Sequence, residues 1–255
     1  MSDLPKLIAE DFNPTRDYLQ NVALAIGSLQ RAFVPQHPRD WQYGLEVNMR
    51  GISTQPFDIA GIETRGLIDL VKHKVRLGET HWKLEEYAGP EILKNIRVWL
   101  ESNNTRVELE EPEFLKASEY NFDQAESYAE ALWWMDKQFR IIKDEIKSGV
   151  TSPILLYPHH FDLSLVWFPQ DDDKQFGLGW STGDGTIAEP YVYFTAYPDL
   201  DGFTDIDLPD GAYWQKHGFT GAILPYSVLQ SSAEPDILLQ KFAGNLFKAG
   251  KKLLG

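Results

Sequence analysis

PILLYPHHFDLSLVWFP, residues 153–169, is the most apolar run of the chain and carries two histidines and an aspartate at its centre. Read as a β-strand, it sends successive side chains to opposite faces. Leu155, Tyr157, His159, Phe161, Leu163, Leu165 and Trp167 form one row, and Leu156, Pro158, His160, Asp162, Ser164, Val166 and Phe168 form the other. The first row is a core face, in which His159 is expected to pack. The second aligns His160, Asp162 and Ser164 above the sheet, about 6–7 Å apart at each step. Neighbours on one strand do not chain hydroxyl to imidazole to carboxylate as a nucleophilic triad requires. A histidine–carboxylate pair holds a metal only with a further ligand from elsewhere, and none is assigned. Pro158 cannot donate to a ladder, so it marks an edge or a bulge, and a bulge would swap the two faces.

Working outward, Asn13-Pro14 predicts a helix start, followed by Leu19, Val22, Ile26, Leu29 and Phe33 at helical spacing. Tyr43, Leu45, Val47 and Met49 alternate with polar residues, which predicts one strand over 41–54. Further strands are expected at 66–77 and 81–85, a helix from Gly89-Pro90 to Asn103-Asn104, and a short strand at Val107 and Leu109. A longer helix is expected from Asn121, with Tyr128, Leu132, Met135, Phe139, Ile142 and Ile146 as its apolar stripe and Ser148-Gly149 as its stop. After residues 153–169 come strands at 176–180 and 191–197. A last helix begins near Pro235, with Leu238, Phe242 and Leu246 on one face. Its polar positions include Lys241, Lys248, Lys251 and Lys252, which suit an acidic partner or a membrane surface if the helix does not simply pack on the sheet. The element order predicts an α+β fold with a largely antiparallel sheet flanked by helices, a single domain over 1–255 with two similar halves at 1–116 and 117–255.

The chain of 255 residues has a net charge of −14. A polyanion would be repelled, and no basic groove with interleaved aromatics is visible, so no nucleic-acid partner is expected. Between Glu101 and Glu145, 12 acidic residues face 5 basic ones, which reads as a solvated face. Zero cysteines exclude disulfides, a thiol nucleophile and Cys-ligated metal. The start, MSDLPKLIAEDFNP, lacks the basic and apolar regions of a signal peptide, and no apolar run spans a bilayer, so no membrane association and a cytoplasmic location are expected.

GWSTGDGTIAEPYVYF, residues 179–194, contains a small polar loop that could cradle an anion. No helix start follows it and no lysine stands at phosphate-loop spacing, so a hairpin turn is the simpler reading. The sequence holds no HExxH, GxSxG, Walker or dinucleotide motif. The candidate pocket residues are Asp162, His160, Arg50, Trp180, Asp184, Glu189 and Tyr191, with Asp162 as acceptor or base, His160 as its partner and Arg50 as an anion contact. His37 and Trp41 flank the entry to the first strand and are read as closing the core.

The segment SPILLYPHHFDLSLVWF resembles the pattern Ser-Pro-Val-x-x-Phe-Trp-x-x-Phe-Asp-Leu of a bacterial domain family of unknown function. RGISTQPF, FVPQHPRDW, EPYVYFTAYPDLDGF and ILPYSVLQSSAEPDILLQKF resemble further pieces of that family, in the same order along nearly the whole chain. The resemblance implies one α+β unit and supplies no activity. Ser152, Pro153, Phe161, Asp162 and Leu163 carry the pattern, whereas His159-His160 depart from it, which makes Asp162 the safer half of the pair. Two functions follow as expectations: a small-molecule binding protein or enzyme with an aromatic-lined pocket, or a non-catalytic interaction or structural module. Neither reading names a cofactor.

Overall fold

The computed structural model describes residues 4–170 and 174–253. Along the chain these form α1 (Ala9–Phe33), β1 (Glu46–Asn48), β2 (Gly51–Ser53), β3 (Phe57–Ile59), β4 (Ile62–Thr64), β5 (Gly66–Asp69) and β6 (Lys74–Leu77). Next come β7 (Thr80–Lys83), α2 (Gly89–Ser102), α3 (Phe122–Glu145), β8 (Val150–Thr151), β9 (Leu155–Tyr157) and β10 (Asp162–Phe168). The chain continues through β11 (Gln175–Ser181), β12 (Tyr191–Tyr197), β13 (Tyr213–Gln215), β14 (Gly221–Pro225), α4 (Tyr226–Ser231) and α5 (Pro235–Leu253). The fold is α+β with antiparallel sheets, as expected from the sequence.

The chain divides into two compact units, each discontinuous in sequence. One comprises Glu10–Trp133 and Leu155–Phe161; the other comprises Met1–Ala9, Trp134–Ile154 and Asp162–Gly255. The first is built on the sheet β1-β2-β5-β6-β7, with β3 and β4 as a separate hairpin. Leu19, Val22, Ile26 and Leu29 of α1 are fully buried in it, and Phe12, Tyr128 and Phe161 stack in series with centroids 5.5 and 5.3 Å apart. An isolated bridge joins Leu45 to Leu156.

The second unit is built on the sheet β13-β14-β12-β11-β10-β8. Its register pairs Leu165 with Leu178 and Leu178 with Phe194, so one face is a continuous apolar surface. α5 covers that face: Phe247 meets Phe194 edge-on at 4.7 Å and Trp167 at 5.7 Å. Gly250 lets the helix come close, since a Cβ there would stand 2.6 Å from the Phe176 ring. At the other end of the chain segment, Tyr226 and Gln230 both donate to the Pro5 carbonyl, at 3.0 and 2.7 Å.

Several predicted elements take a different form. Residues 153–169 are not one strand: β9 stops at Tyr157, the chain turns through 158–161, and β10 starts at Asp162. The Tyr157 carbonyl accepts the amides of His160 and Phe161, at 3.3 and 2.8 Å, and Phe161 takes φ +52°. Pro158, with no amide to give, opens this turn. Both histidines are consequently exposed, so His159 is not a core residue and His160 leaves the Asp162 row. Within β10 the predicted alternation holds, with Leu163, Leu165 and Trp167 sharing the buried face.

The predicted strand at 41–54 is a 3-10 turn at Trp41–Tyr43 followed by the β1–β2 hairpin, in which Leu45 and Val47 are buried and Met49 is 72% exposed. Residues 66–77 likewise form a hairpin rather than one strand. Helix α1 begins at Ala9, with Pro14 inside it. Val107 and Leu109 lie in a segment without regular structure. The long central helix follows its prediction: Asn121 Oδ1 accepts the Gln124 amide at 3.1 Å, and Tyr128, Leu132, Met135, Phe139 and Ile142 are buried, while Ile146 lies just past the helix end.

Candidate functional site

On the sheet of the second unit, the face opposite α5 is polar and carries four of the expected residues or their neighbours. The register places Ser164 beside Gly179 and Gly179 beside Tyr193, with Ser181 beside Tyr191. Gly179 has no side chain because the Tyr193 ring lies over it: a Cβ would stand 2.1 Å from Cζ and 2.2 Å from Oη. From that seat the phenol donates to Asp162 Oδ2, and both Asp162 and Ser164 are buried. Tyr191, two residues before on the same face, donates to Asp184 Oδ2 at 2.5 Å. Asp184 in turn accepts the Thr186 and Ile187 amides, at 2.6 and 2.9 Å, and so closes the 183–187 turn on itself. Two tyrosine–aspartate bonds thus stand side by side. Each carboxylate has a phenol on one of its oxygens, an arrangement that ties the two tyrosine side chains to this face.

The remaining candidates go elsewhere. Trp180 is 1% exposed on the apolar face, beside the Tyr226 ring at 6.0 Å. Glu189 is exposed and accepts from the Ser227 hydroxyl at 2.7 Å. Arg50 and His160 belong to the first unit. Arg50 is paired with the fully buried Asp69, whose other oxygen accepts the Lys72 amide at 3.0 Å, so its partner is a carboxylate of the chain. His37 and Trp41 stack at 4.0 Å. Tyr193 and Gly179 were missed in the sequence. Their signal was the period of two that puts Tyr193 on the Tyr191 face and a glycine beneath it.

Tyr18, Tyr191 and Tyr193 are harder to ionise than free tyrosine. Tyr193 is raised well above its ordinary value by burial first and by the Asp162 charge second, and Tyr191 is raised by burial and its bond to Asp184. In the first unit, burial with the charge of Glu91 pushes Tyr18 up to about 12. Unfolded phenols lose their protons near pH ~10. Above that pH the unfolded chain therefore binds fewer protons than the native one, and stability falls as pH rises. The contribution is complete below pH ~10 and is lost as pH climbs toward the native values. Urea midpoints should be flat from pH ~8 to ~9.5 and fall steeply beyond, and Tyr193→Phe should make the fall shallower. An equal slope in the variant would show that Tyr193 ionises alike in both states.

A concave feature of the second unit lies beside α5. A groove of about 410 Å³ runs between the C-terminal half of α3 and α5, walled by Ile141, Ile142, Ile146, Trp167 and Phe247. Two side-chain bonds set its ends: Gln240 donates to Gln138 Oε1 at 3.0 Å, and Lys251 donates to Ser148 Oγ at 3.2 Å. The helices therefore run in the same direction along it. Trp167 offers ring surface only, because its indole N–H is satisfied by the Ser148 carbonyl at 2.6 Å. Gly244 leaves open space on the α5 side, with no atom within 4 Å of where its Cβ would be. The lysines of the last helix reach this groove: Lys248 and Lys251, with Lys147, stand on its rim. The apolar face of α5 packs on the sheet while its basic residues edge a cavity. Sequence periodicity could show the basic and apolar stripes but not the gap that parallel packing against α3 leaves between them.

Among the described residues, no three or more histidines, aspartates and glutamates are grouped to hold a metal ion, and no helix is long and apolar enough to cross a membrane. A family model, described as a family of unknown function (DUF5996), matches residues 4–178 and 171–255. No curated protein and no solved structure matches the chain.

Proposed function

We propose that this chain, which belongs to the DUF5996 family of unknown function, is a small-molecule binding protein whose ligand lies in the groove between α3 and α5. The observation that carries the reading is the groove itself, whose volume of about 410 Å³ and apolar walls are those of a small-ligand pocket. Binding is favoured over catalysis because the acidic groups best placed for chemistry, Asp162 and Asp184, are engaged by Tyr193 and Tyr191. The groove's lining presents no histidine.

Gly244 supplies the test. Leucine at this position enters open space inside the groove and replaces a poor helix former by a good one. Gly244→Leu should raise stability by about 0.5–1 kcal/mol while abolishing binding of N-phenyl-1-naphthylamine, a neutral apolar fluorophore. Wild-type protein should show saturable fluorescence enhancement with that probe. Enhancement of equal affinity in the folded variant, or none in the wild type, would refute the groove as a ligand site and favour a non-catalytic interaction module.

A further inference from the structure

We infer that the groove takes a single-chain amphiphile with one anionic head, its tail along the isoleucine wall and its head at the lysine end. This rests on the groove being a ligand site. The groove is charged at one end only. Gln240, Gly244 and Ile141 lie toward its neutral end; Lys147, Ser148, Lys248 and Lys251 gather where α3 has stopped. From Gln240 to Lys251 the α5 axis advances about 16 Å, a length comparable to an extended decyl chain with its head group.

Charge decides the head. The chain carries −14 overall, yet the groove's lining holds three lysines against one glutamate, Glu145. Among the described residues none of the three pairs with a carboxylate: Lys147 donates to the Asp144 carbonyl, Lys251 to the Ser148 hydroxyl, and Lys248 is exposed on the rim. Cations in a last helical turn also complement the helix dipole, which accounts for Lys251 and Lys252. It does not account for Lys248, which precedes that turn and stands one helical turn from Lys251 on the same face. Lysine ammonium groups on flexible stems act as point charges that can follow a head group at a partly open mouth, while the stems extend the apolar wall.

The experiment uses the full chain and two probes of equal tail, decanoate and decan-1-ol, each displacing N-phenyl-1-naphthylamine. The variant Lys147→Gln/Lys248→Gln/Lys251→Gln should weaken decanoate about tenfold, the combined effect of three surface charge contacts, and leave decan-1-ol within about twofold. Raising salt to about 1 M should weaken decanoate in the wild type by a similar factor, since the head contacts are solvent-facing. If both probes bind and neither responds to the lysine substitutions or to salt, the anionic head is wrong while the groove stands. If neither probe nor the fluorophore binds, the ligand site itself fails and the inference falls with it. Capture on phosphatidylglycerol vesicles that persists in Gly244→Leu, without decanoate binding, would assign the lysines to a lipid surface and overturn the proposal.

Discussion

Phe176→Ala is expected to lower the unfolding free energy by about 3–5 kcal/mol, the range for deleting a buried aromatic ring. The ring is 1% exposed and sits at the centre of the apolar sheet face. It stacks on Trp167 at 5.5 Å, leans on Phe194 at 5.9 Å and on Phe203 at 6.0 Å, and receives the close approach of α5 at Gly250. Three rings and a helix backbone cannot all close over the space it leaves, so the cavity cost adds to the lost burial. Guanidinium denaturation followed by tryptophan fluorescence reads the change. A loss below about 1.5 kcal/mol would mean that the site collapses freely, as only volume-conserving changes normally do.

Gly179→Ala carries the second large effect, and from a single methyl group. Its Cβ would meet the Tyr193 ring at 2.1 Å, so the phenol must leave its seat and give up Asp162. Overpacking and a buried carboxylate without its donor should together cost about 2–5 kcal/mol. Gly177, two residues earlier on the same strand face, is the control. Its nearest neighbour to a new Cβ is the Thr195 hydroxyl at 3.0 Å, the end of a short side chain that can rotate. Gly177→Ala should therefore cost well under half as much. Equal effects at the two glycines would show that strand propensity, and not the tyrosine seat, governs both.

The contrast explains what could be read from the sequence. Periodicity identified the stripe of α3 and the core row of β10, because each records a repeated burial on one element. It also located Asp162 on the face away from the core. It failed wherever one residue interrupts a run: the Pro158 turn separates His160 from Asp162, and the Met49-Arg50 turn folds an expected strand into a hairpin. Pro158 carried that warning openly, as a residue unable to join a ladder. Arg50 was read as an anion contact; its partner Asp69 is brought to it by pairing of β2 with β5, which no local pattern encodes. The groove was the least legible feature. It belongs to the spacing between two helices nearly a hundred residues apart in the chain, and only the lysines on its rim left a trace.

The Leu45–Leu156 bridge and the bonds from Tyr226 and Gln230 to Pro5 have a consequence during protein synthesis. Domains usually form as their residues leave the ribosome, N-terminal first. Here the unit that contains Leu45 cannot gain its last strand until Leu156 has emerged, and Pro5 must wait for a phenol 221 residues downstream. Closing such long loops before any contact rewards them slows folding. A nascent chain stalled between residues 197 and 221 would hold one completed unit and, in the other, β12 without β14, its hydrogen-bonding edge open to any passing strand. Translation speed across this interval would then decide how much of the product reaches its native state.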